Sequence, residues 1–166
     1  NNALTQVNVS DSAIWELDCS GNRLTELNVS GCGYLMNLVC GNNQLTALEL
    51  ADCRRLATVD CSGNQLTALN LSATNALMTL NCENNRLSTL TFNSTGYPIH
   101  VDCSGNQLTE LNTDTMQFTR YLDCSDNQLT SLNVRNCSML ETFSCQGNKL
   151  KELNFSSSGK YRALSL

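Results

Sequence analysis

The cysteines are the residues with the most chemistry to offer. Ten occur in 166 residues, and seven stand at intervals of 21 with no drift: Cys19, Cys40, Cys61, Cys82, Cys103, Cys124 and Cys145. A thiolate is a nucleophile and a ligand for soft metals. Zinc, however, needs clustered ligands, and the chain has no Cys-x-x-Cys pair and a single histidine, His100. Disulfides fit no better. On neighbouring strands ~4.8 Å apart the side chains run parallel, which suits the dihedral of a disulfide poorly. The column is therefore read as packing, each thiol a small buried hydrophobe that stays reduced. Cys32, Cys53 and Cys137 lie outside the column in loop positions and are expected to be the only thiols that react quickly. Cys32 and Cys53 are one repeat apart, so a bridge between them and two free thiols both remain open. Many free thiols suit a cytoplasmic or anaerobic setting better than an oxidising one.

Carboxylates supply a second candidate chemistry. Asp18, Asp60, Asp102 and Asp123 each stand directly before a column cysteine. Paired carboxylates can bind Ca²⁺ or move protons. Only Asp102 and Asp123 fall in adjacent repeats, and no glutamate or histidine completes a set, so the column reads as a solvated strand face. No nucleophile–base pair, Gly-rich phosphate loop or metal motif is present. The expectation is a protein that is not an enzyme, with no cofactor.

These residues are positioned by a 21-residue unit, seen in Leu56 to Ala76, LATVDCSGNQLTALNLSATNA, and repeated seven times over residues 14–160. A fixed period of this size marks a solenoid. Three residues after each column cysteine comes an asparagine (Asn22, Asn43, Asn64, Asn85, Asn106, Asn127, Asn148), and five and eight after it a leucine. The alternation Leu56, Val59, Cys61 puts apolar side chains on one face of a short strand, and Leu66, Leu69, Leu71 do so again. Two such segments leave little room for a helix. An asparagine amide donates and accepts at once, so a stack of them can satisfy the backbone of a buried turn. Thr5, Thr25, Thr46, Thr67, Thr109 and Thr130 make a second polar column, broken by Ser88 and Lys151.

The pattern LxxLxCxxNxLTxLxL resembles the leucine-rich repeat, in its short bacterial form with a nested second Leu-x-Leu. In that family a leucine usually holds the cysteine's place. The resemblance covers nearly the whole chain. It implies a mainly β fold, a right-handed solenoid of about seven coils with two short strand segments per coil and little or no α-helix. It also implies parallel strands lining one face and, usually, a role in protein binding. A single domain is expected: a half coil over 1–13, seven coils over 14–160 and a partial coil over 161–166. Neither end reads as the polar cap a solenoid needs, which points to a segment of a longer protein or to ends that meet partners.

Net charge is −5 and the ten basic residues are scattered, so a nucleic-acid partner is not expected. No apolar run approaches the ~20 residues of a membrane span. Six Asn-x-Ser/Thr sequons, such as Asn28-Val29-Ser30, follow from the repeat itself. Within each unit, positions from about eleven after the cysteine to three before the next vary freely, and loops on a rigid scaffold are where recognition concentrates. The pattern breaks where Pro98 and Thr119 replace a leucine and Thr113 an apolar residue. The break either places a site there or is refilled by Phe118. Around it stand Tyr97, His100, Arg120 and Tyr121, the expected binding residues, since aromatics and arginine carry interface energy. The alternative is a stripe of Trp15, Met36 and Met78. The expected function is a protein- or glycan-binding module, secreted or on a bacterial surface. A rigid spacer in an adhesin and the recognition arm of an effector are the other readings.

Overall fold

A computed structural model describes residues 2–157 and 159–166. Fourteen strands and no helix are assigned among them. Coil one carries Cys19 and coil seven Cys145. Eight strands form one parallel sheet: β2 (Glu16–Asp18), β4 (Asn37–Val39), β5 (Thr58–Asp60), β7 (Thr79–Asn81), β9 (His100–Asp102), β10 (Tyr121–Asp123), β12 (Thr142–Ser144) and β14 (Ala163–Ser165). Register advances one repeat per strand, so Leu38, Val59, Leu80, Val101, Leu122 and Phe143 stack as one buried row. Each of the six inner strands buries its middle residue and turns the two flanking ones outward, as period-2 side chains must.

The cysteine follows at once and points inward; Cys40, Cys61, Cys82, Cys103 and Cys124 are fully buried. The slot suits a thiol because the chain supplies an acceptor: Cys82, Cys103 and Cys124 each donate S–H to the carbonyl of the residue before the next cysteine, at 3.4 Å. Burial, then the charge of Asp60, pushes the Cys61 thiol up to about 12. Next comes the turn, where the asparagines join coil to coil. Asn64 Nδ2 donates to the carbonyls of Cys61, Ser62 and, one coil back, Cys40, while its Oδ1 accepts from Leu45 N–H at 3.0 Å. Asn43, Asn85, Asn106 and Asn127 repeat this and are buried. No buried side-chain polar atom among the described residues lacks a partner.

The residue before that asparagine holds a positive φ in every coil: Gly21, Asn42, Gly63, Asn84, Gly105, Asp126 and Gly147, between 51° and 69°. Glycine alternates with Asn or Asp for a steric reason. A Cβ at Gly63 would sit 2.8 Å from Asn42 Oδ1, and one at Gly105 2.6 Å from Asn84 Oδ1. The polar side chain of one coil leans over the bare glycine of the next.

A second, smaller ladder forms in separate pairs: β1 (Gln6–Asn8) with β3 (Glu26–Asn28), β6 (Ala68–Leu71) with β8 (Thr89–Phe92), and β11 (Leu132–Val134) with β13 (Leu153–Phe155). Coils two and five have no strand here. In coil five Thr113 replaces the apolar residue and turns its hydroxyl to the Asn133 carbonyl. Coil two keeps Leu48 and Leu50 buried, and nothing in its side chains explains the gap. The chain leaves this segment through an Asx turn, with Asn28 and Asn70 each accepting from the N–H two residues on at 3.0 Å. Most sequons sit on that turn.

The return loop corrects one expectation. Cys32, Cys53 and Cys137 are fully buried, not surface thiols. All ten cysteines are free, so Cys32 and Cys53 are not bridged. Their column anchors the loop: the N–H of Cys32, Cys53, Thr74, Met116 and Cys137 closes a turn onto the carbonyl three residues earlier. Cys32 Sγ also reaches the Val9 carbonyl at 3.1 Å.

Candidate interaction surface

Because β9 and β10 are in register, His100 and Tyr121 are direct neighbours on the exposed face of the main sheet. Their rings stack with centroids 4.1 Å apart and planes within 1°. Both are half-buried, held by the strands beneath them. Carboxylates surround them. Asp102 and Asp123 lie two residues along the same strands. Partial burial, then the charges of Asp102, Asp123 and Glu83, moves the Tyr121 phenol above its usual value. Glu83 also titrates high, through its own burial and then Asp102, Asp60 and Asp123.

The aspartates have a local task that their spacing alone conceals. Each accepts from the serine two residues on: Asp60 Oδ1 takes the Ser62 N–H at 3.0 Å and its hydroxyl at 2.7 Å, and Asp18, Asp102 and Asp123 do likewise. They brace the exit from the strand and still leave their charge on the sheet face.

Tyr97 and Arg120 stand apart from this stack, on the edge where the return loop enters the strand. Tyr97 meets Phe118 edge to face at 5.2 Å. Phe118 is 48 % exposed and so does not refill the core. The break is closed otherwise: Thr119 is buried with its hydroxyl on the Pro98 carbonyl at 2.6 Å, and Met116 is fully buried in the loop column. Arg120 is drawn to Glu141 at 3.0 Å, and Arg162 reaches the same carboxylate at 3.4 Å. An exposed pair of this kind holds the guanidinium weakly.

The same edge carries a pattern that reading single repeats misses. Three exposed large apolar side chains, Leu4, Leu164 and Leu166, belong to the first and last turns. The other six are Trp15, Tyr34, Met36, Met78, Tyr97 and Phe118. All six fall four or six residues before a column cysteine, in two neighbouring columns either side of the buried leucine anchor. Arg55 joins them, its guanidinium 5.0 Å over the Tyr34 ring. Comparing the free segments column by column, rather than segment by segment, would have exposed it. The opposite side offers a cleft of about 700 Å³ between Thr89–Phe92 and Glu110–Thr115, open where coil five lacks its strand. Among the described residues no group of three or more His, Cys, Asp or Glu is placed to hold a metal ion.

No family model and no curated protein sequence matches the chain. Several solved structures do. The functional domain of InlJ from Listeria monocytogenes, described as including a cysteine ladder, is 27 % identical over 97 % of this chain, with a TM-score of 0.64. A leucine-rich repeat protein of Leptospira interrogans is 23 % identical over 90 % of the chain, with a TM-score of 0.68. The leucine-rich effector YopM from Yersinia pestis is 19 % identical over 96 %, with a TM-score of 0.62. The chain spans only 43 %, 48 % and 59 % of those three chains.

Proposed function

We propose that this leucine-rich-repeat solenoid is a non-catalytic binding module that grips a protein, and that it works on a bacterial cell surface or as a secreted protein. The observation that carries the binding reading is the half-buried His100–Tyr121 stack on the open sheet face, set beside the carboxylates of Asp102, Asp123 and Glu83. Aromatic rings held in place by strands lose little conformational freedom on binding, so they make efficient anchors. Tyr97 and Arg120 extend the site to the edge. A bacterial setting is supported by the cysteine ladder shared with the InlJ domain of Listeria monocytogenes. A glycan is the second ligand class, favoured by the flat coplanar ring pair beside acceptor carboxylates.

The test begins with displayed libraries of bacterial surface and host proteins and an array of glycans, probed with the intact chain. A binder is then titrated against wild type and the double variant His100→Ala, Tyr121→Ala. Weakening of tenfold or more with an unchanged melting temperature supports the site. Unchanged affinity removes it.

A further inference from the structure

We propose that the apolar edge of coils one to five is a docking strip for an amphipathic, basic α-helix of a partner protein. The proposal rests on the reading of the chain as a protein-binding module, but on different residues from the His100–Tyr121 stack. Trp15, Met36, Ala57, Met78 and Ile99 occupy one position in five successive coils. Trp15, Met36 and Met78 are 62 %, 39 % and 50 % exposed. The row is held straight by its own backbone: each carbonyl from Trp15 to Ile99 accepts two N–H groups from the following coil. No charge interrupts it until Arg120.

Spacing selects the partner's shape. One anchor per coil means a repeat of ~4.8 Å along the strip, or ~19 Å from Trp15 to Ile99. A helix presents side chains of one face at rises of ~4.5 and ~6 Å (i+3 and i+4), so it keeps step with the coils over about thirteen residues. An extended strand presents same-face side chains every ~6.7 Å and falls out of step. Charge selects the helix's flank. The sheet face beside the strip bears Glu16, Asp18, Asp60, Glu83, Asp102 and Asp123, and strands β2 to β10 of that sheet contain no lysine or arginine. A helix with its apolar face on the strip turns one flank toward this face, where lysines and arginines are matched.

Trp15 is the only tryptophan and reports on the strip directly. The probe is a synthetic peptide of about eighteen residues, leucines at helical i, i+3, i+4, i+7 spacing and lysines elsewhere. Expected is a saturable blue shift of Trp15 emission, weakened at least ~tenfold in Met36→Glu, Met78→Glu and kept in His100→Ala, Tyr121→Ala. The glutamates add negative charge, so mere attraction of a cationic peptide would strengthen with them rather than fail. A scrambled peptide of the same composition, or one with glutamate for lysine, should give no saturable shift. Equal response to the scrambled peptide, no shift at all, or full binding by Met36→Glu, Met78→Glu each overturns the proposal. A matching shift with phosphatidylcholine vesicles would assign the strip to lipid, and concentration-dependent dimerisation lost in the glutamate variant would assign it to a second copy. Loss of the tenfold effect at His100 and Tyr121 with the strip response intact would strike the first site and leave this one standing.

Discussion

At the scale of single residues, the ladders convert sequence columns into coil-to-coil bonds. Replacing Asn64 by Ala strands the buried Leu45 N–H and leaves the Cys40 and Cys61 carbonyls with one asparagine donor each, Asn43 and Asn85, a loss of ~1–3 kcal/mol by urea unfolding. Asn22→Ala should cost less, since its partners Asn2 and Leu4 lie in the exposed first turn. The thiols titrate in a predictable direction. Cys61 ionises near 9 when unfolded and only near 12 when folded, so the unfolded chain releases its proton first as pH rises. Stability contributed by such thiols is intact below pH ~9 and falls above it, by up to ~1.4 kcal/mol per pH unit for each. Unfolding midpoints at pH 8 and 10 check the sign. Native protein at pH 8 should label slowly at all ten cysteines, including Cys32, Cys53 and Cys137. Rapid reaction of those three would place them at the surface. The asparagine and cysteine columns were legible from period and phase. The loop cysteines were misplaced because a loop position in sequence says nothing of which way the side chain turns, and here the return loop folds on two tight turns that drive every third residue inward.

At the scale of the coil, the left-handed turn residue sets a period of two repeats that the 21-residue spacing hides. Gly63→Ala adds a Cβ at φ 61° and drives it against Asn42 Oδ1. The left-handed conformation alone costs roughly 1–2 kcal/mol for a residue with a Cβ. Asn42→Gly should change stability far less, and paired with Gly63→Ala should recover part of the loss, because the steric partner is gone. A thermal-melt double-mutant cycle measures that coupling. The first strand of each coil follows from its alternation and appears throughout. The second does so only in pairs; in coil five an apolar position is taken by Thr113, whose hydroxyl bonds to the Asn133 carbonyl one coil on. Coil five also shows why a pattern break is not a hole: Met116 and the Thr119 hydroxyl restore what Pro98 and Thr119 remove.

At the scale of the molecule, the solenoid sorts its surface into unlike faces. The sheet face is acidic with one aromatic stack; the edge beside it collects the exposed apolar side chains; the opposite side is polar and partly unladdered. Neighbourhood on the sheet was readable, because His100 and Tyr121 share a position one repeat apart. The split of Tyr97 and Arg120 from them was not, because residues close in the repeat can leave the chain on either side of a buried anchor. Both proposed sites lie on the sheet face and the edge beside it. Hydrogen exchange on the complex with a displayed protein binder tests this most directly. Slowed exchange should map to the strands from Glu16–Asp18 to Tyr121–Asp123 and to the edge residues before them, leaving Thr89–Phe92 and Leu132–Val134 unchanged. Protection confined to those second-ladder segments, with the sheet face unaltered, would contradict it.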